Sequence, residues 1–167
     1  MTDTAGGYAT TPVNARLAVA LTGVERLLDT LSVRIRELHE LIEHLWQWAT
    51  VDEATFDSWI AFDSPLRSFA LGRNEPDVEL LLSEAWPPLV GVVVSLVEVV
   101  EGNLYAAVNE SETQGHFNDV LTALSSRGIP VPPPASVSHW PRSRFKDWGD
   151  PLSGDELVEW RKRLGSV

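Results

Sequence analysis

Two histidines and three glutamates crowd into the stretch RELHELIEHLWQW, residues 36–48. On a helix, His39 and Glu43 are neighbours four residues apart, and so are Glu40 and His44. Such pairs can hold a metal ion weakly, trade a proton, or form surface ion pairs. A carboxylate-bridged di-metal centre asks for Glu-x-x-His pointing inward from two helices. Here the spacing is four, and no second segment repeats it. The stretch therefore reads as the wet face of a helix, with no metal site, and His39 is the histidine expected to be half-buried.

Other chemistry is sparse. The chain has no cysteine, which excludes disulfides, zinc–thiolate sites and thiol nucleophiles. It has no glycine-rich phosphate loop, no G-x-S-x-G elbow and no H-E-x-x-H. His116 and His139 stand alone, and the acids Asp52, Glu53, Asp57 and Asp63 sit where helix starts and turns explain them. No catalytic residue, cofactor ligand or metal ligand is assigned.

The excess that does call for a role is aromatic. Of seven tryptophans, Trp46, Trp48, Trp59 and Trp86 fall in or beside apolar helix faces and read as core. Trp140 and Trp148 are interleaved with Arg142, Arg144, Phe145 and Lys146, and Trp160 follows between Leu157 and Leu164. Aromatic and arginine side chains dominate protein–protein hot spots. Trp140, Arg142, Arg144, Phe145, Trp148, Leu157, Trp160 and Leu164 are accordingly the candidate partner-binding residues. The same mixture can stack on nucleic-acid bases, but Asp147, Asp150 and the acidic remainder of the chain weigh against that.

The elements that must carry these residues are helical. Leu17, Leu21, Val24, Leu28, Leu31, Ile35, Leu38, Ile42 and Leu45 recur at alternating spacings of four and three. That a/d series predicts one long helix over 14–49, roughly 50 Å at ~1.5 Å per residue. Apolar residues at the g positions (Ala20, Leu27, Leu41, Trp48) widen the stripe, so the helix belongs in a bundle rather than a two-stranded rod. A Thr50-x-x-Glu53 box, Ser64–Pro65, Pro76 and a Ser153-x-x-Glu156 box mark further helix starts. Residues 89–107 are valine-rich, but they keep helical spacing and have no strand to pair with, so they too read as helix. A short helix around Phe117, Val120, Leu121 and Leu124 ends at Gly128.

The expected fold is thus all-α: a helical bundle built on one long N-terminal helix, with a proline-rich C-terminal extension ending in a short helix. It divides into a loose arm (1–13), the bundle (14–128), a Pro/Trp/Arg-rich extended segment (129–152) and a terminal helix (153–167). At 167 residues the bundle can bury a real core without staples.

Charge completes the reading. The net charge of −11 opposes binding along a phosphate backbone. Residues 1–128 hold 7 basic and 19 acidic side chains, against 6 and 5 in 129–167, so the tail is the near-neutral partner of an acidic body. No stretch resembles a signal peptide or reaches the ~20 apolar residues of a membrane span. The expectation is a cytoplasmic, non-enzymatic assembly, adaptor or regulatory protein that binds a protein partner or itself. The alternative is a helical bundle with a tryptophan-lined pocket for a small molecule, as a ligand binder or an enzyme.

Overall fold

The computed structural model describes residues 6–101, 104, 110–141 and 150–166. Among these residues there is no strand; the chain forms eight α-helices. They are α1 (Val13–Leu31), α2 (Arg36–Gln47), α3 (Phe56–Ile60), α4 (Pro65–Ala70), α5 (Pro76–Ala85), α6 (Leu89–Glu101), α7 (Glu110–Ser126) and α8 (Gly154–Gly165).

The long N-terminal helix is broken. Ser32 adopts a left-handed conformation (φ 55°), and the Val33 amide reaches back to the Leu28 carbonyl at 2.9 Å, closing α1 as a Schellman-type end. Residues 32–35 then turn the chain, and α2 packs back against α1. Every residue of the predicted a/d series is still buried or half-buried. Each half of the broken helix keeps an inward face of its own.

Helix α1 is the axis of the molecule. All residues from Val13 to Val24 are buried, and α1 touches α2, α6, α7 and α8. Helix α7 packs on it at Gly23: a Cβ placed there would sit 2.5 Å from Leu124 Cδ1 and 2.9 Å from Val131 Cγ1, so a larger residue would force those side chains to shift. The valine-rich segment is helical as α6, buried against α7, α1, α4 and α5. Pro87 and Pro88 separate it from α5, and the two axes differ by 116°. No single helix among the described residues is long and apolar enough to cross a membrane.

The described part of the N-terminal segment packs on the body. Within it, Tyr8 and Val13 are fully buried, and the Tyr8 hydroxyl donates to the Pro132 carbonyl. Burial pushes that phenol's pKa up to about 12. Buried Arg16 ties the arm to the body by donating to Thr11 O at 3.0 Å and to Gln114 Oε1 at 2.8 Å. Helix α7 is longer than the short helix expected, beginning at Glu110.

Of the start signals, Ser64 caps α4 by accepting from the Arg67 amide at 3.1 Å, and Ser153 and Glu156 form the reciprocal box of α8. The Thr50/Glu53 box does not form. Asp52 and Thr55 instead bond each other reciprocally at 2.9 Å ahead of α3, and the Thr50 hydroxyl donates back to Gln47 O.

Candidate functional site

Two surfaces gather the residues of interest: the seam under the C-terminal helix, and a groove beside His44. At the seam, Leu164 and Trp140 are buried, Leu157 and Trp160 are half-buried, and the Trp140 and Trp160 rings meet at 4.7 Å. These four candidates thus face their own chain. Arg142, Arg144, Phe145 and Trp148, with Lys146, lie outside the described residues.

Among the described residues, the tail cation that ion-pairs with the body is Arg161, which spacing had not singled out. Its guanidinium bonds Glu43 through both terminal nitrogens (2.7 and 2.6 Å) and donates to Glu25 at 2.9 Å. It also lies over the Trp46 ring, 4.9 Å from the centroid. Hydrogen bonding from Arg161 lowers the Glu43 pKa, whereas burial raises that of Glu25 despite the same partner. Arg26 completes the seam, donating to the Leu164 and Gly165 carbonyls that end α8 and to Pro130 O. The Leu152 amide donates to Ala49 O at 2.7 Å.

The second surface revises the outward-facing histidine. His44 is only 5% exposed, while His39, Glu40 and Glu43 remain in solvent. After α2 the chain makes a 3-10 turn (Trp48–Thr50), and α3 and α4 fold back over the face a lone helix would leave wet. The imidazole ends up sandwiched: Trp59 stacks on one contact at 4.3 Å and 14°, Phe62 on another at 4.0 Å and 16°. The Trp59 indole N–H donates to His44 O at 3.0 Å, which fixes the upper ring, and Trp48 leans on Trp59 at 4.7 Å.

Behind the stack, Arg67 makes a two-pronged ion pair with buried Glu101, both bonds 2.8 Å. Its Nη1 donates to the Ile60 and Phe62 carbonyls. Desolvation, with Arg67 as a nearby like charge, pulls the His44 pKa down to about 4, so the ring is neutral at pH 7. Its Nε2 is shielded from solvent and has no hydrogen-bond partner.

His44, Trp59 and Phe62 form a wall of an open groove of about 470 Å³, completed by Gln47, Val51 and Ala61 and by the hydroxyl side chains Thr50, Thr55 and Ser58. A neutral histidine between aromatic rings can bind or position a molecule. It has no carboxylate or hydroxyl partner of the kind that activates a nucleophile. Among the described residues, no three histidine or acidic side chains cluster as a metal site would require.

Trp140, Leu157, Trp160 and Leu164 of the seam were candidates in the sequence, whereas Arg161 and the groove beside His44 were not. The one signal for the groove was the density of Trp46, Trp48, Phe56, Trp59 and Phe62 around His44. Compared with protein-family models, curated proteins and solved structures, the chain matches none.

Proposed function

We propose that this protein is a non-enzymatic adaptor, assembly or regulatory protein that binds a protein partner through the outer face of α5. One observation carries the reading. Leu80 and Leu81 stand 58% and 40% exposed on a helix that buries Val78 and Leu82. Leu71, at the end of α4, is 45% exposed as well. Large aliphatic side chains side by side in water favour a partner that covers them. Asp77, Glu79 and Glu84 flank the two leucines, and the whole chain carries −11. A second copy would bring like charges together; a partner with an apolar centre and a basic rim would not.

The described anchors of the tail pack on the body, whereas Leu80 and Leu81 stay adjacent and exposed; among the described residues the other exposed large aliphatic side chains, Leu71 and Val158, lie on other elements. The test is binding of two designed amphipathic helical peptides with the same leucine face, one rimmed by lysine and arginine, the other by glutamate. Fluorescence anisotropy should show saturable binding of the basic peptide only, lost in the Leu80→Asp/Leu81→Asp variant. Equal binding of the two peptides, or binding untouched by the variant, would refute the proposal. Concentration-dependent self-association in sedimentation, abolished by the same variant, would replace the basic partner with a second copy.

A further inference from the structure

Independently of the α5 face, we propose that the groove beside His44 binds an uncharged planar aromatic molecule of two or three fused rings with a hydrogen-bonding edge. Size is the first argument. A volume of about 470 Å³ lies within the ~300–1,000 Å³ common for small-molecule sites. Rigidity is the second. The wall is a stack already assembled, with Trp59 held by its bond to the His44 carbonyl and the imidazole held between two rings. The half-buried Phe62 ring at the edge of this stack gives an aromatic guest a flat face, and offset stacking there adds to simple burial.

Charge selects the class of guest. Among the described residues, no acidic or basic side chain other than His44 lines the groove, and His44 is neutral at pH 7. Arg67, the nearest cation behind the stack, is taken by Glu101 and two carbonyls. An anion or a cation would therefore leave water without a counter-charge, which is costly. Ser58 at the opening, with the Gln47 amide, offers hydrogen bonds to polar atoms at the guest's edge, while the Thr55 hydroxyl is engaged with Asp52.

The orphan His44 Nε2 is the independent sign of a ligand. A buried ring nitrogen with no partner forgoes a hydrogen bond that it made to water in the unfolded chain. A less demanding packing role would be met by phenylalanine. A polar edge on the guest is what this wall lacks.

Indole and 2-naphthol serve as neutral probes, with 2-naphthoate and 2-naphthylmethylammonium as charged counterparts of similar shape. NMR titration of the full chain should give saturable shifts at the His44 ring protons and the Trp59 indole N–H with the neutral probes. Affinity for the charged ones should be weaker by about tenfold or more. Ser58→Trp fills the groove from an exposed position and should abolish those shifts while leaving the rest of the spectrum in place. Ala61→Leu, also exposed, serves the same purpose if the first variant unfolds. Absence of saturable shifts at millimolar probe, equal binding of charged probes, or binding indifferent to the filling variants would each overturn the assignment.

Discussion

The Trp46 indole N–H donates to the Glu25 carboxylate at 3.2 Å, although the two residues are 21 positions apart. In an unbroken helix they would be about 31 Å apart at ~1.5 Å per residue. The bond exists because the chain reverses at 32–35 and lays α2 along α1. It also prepares the surface on which Arg161 lands, since Glu25 and the Trp46 ring are both its partners.

Arg161→Ala should destabilise the protein by about 1 kcal/mol in urea unfolding, through loss of the Glu25 and Glu43 pairs and of the stacking on Trp46. The pairs are partly exposed, so 1 M salt should shrink the difference between variant and wild type. A difference that does not respond to salt would leave packing, not charge, as the role of Arg161.

His44 makes stability fall in mild acid. Its pKa is about 4 when folded and 6.5 when unfolded, so the unfolded chain takes up the proton first. The contribution is fully present above pH 6.5 and is lost as the pH drops towards 4, by roughly 3 kcal/mol in total. Glu43 and Asp52, whose pKa values are lowered, also favour folding less in acid, while Glu25, raised by burial, acts in the opposite sense. The comparison that isolates His44 is therefore wild type against His44→Phe. Unfolding free energies between pH 7 and 4 should fall less steeply in the variant, and parallel curves would mean the imidazole is not buried neutral.

Ser32→Gly should stabilise the chain by about 1 kcal/mol, because a left-handed backbone strains a residue with a Cβ and not glycine. Ser32→Val should do the reverse. Thermal melts that place the glycine variant below wild type would indicate a continuous helix through this position.

Deleting residues 129–167 should leave a destabilised core rather than an intact one. The segment supplies Ile129, Val137, Trp140, Leu152 and Leu164, all buried, and each large side chain so placed is worth about 1.5–3 kcal/mol. The truncated chain should melt earlier and bind a hydrophobic dye in proportion to the surface uncovered. An unchanged melting temperature would show that the seam contributes nothing to stability.

Leu38→Ala should cost about 2–5 kcal/mol, since Leu38 is fully buried. Glu40→Ala should stay within about 0.5 kcal/mol, as exposed sites generally do. Equal costs in chemical denaturation would contradict the orientation of α2.

Local chemistry was enough to determine the helical class, the inward faces and several helix ends. The spacing of Leu17 through Leu45 marks buried residues whether or not the helix is continuous. Ser64–Pro65 and the Ser153/Glu156 box act within a single turn, where sequence neighbours are also spatial neighbours. What only the tertiary structure decided lies at longer range. The strained turn at Ser32 is held by the packing of α2 on α1, and nothing in a serine between leucine and valine announces it. His44 points away from the α1 seam as its heptad position implies, yet α3 and α4 return to cover it and convert a solvated imidazole into a neutral, stacked one. The tail carries candidate anchors in its sequence, but Arg161 became its ionic anchor only where the reversal had brought Glu25, Glu43 and Trp46 together. Periodicity records which side of an element avoids water, whereas burial by a distant segment depends on loop closures that no local pattern encodes.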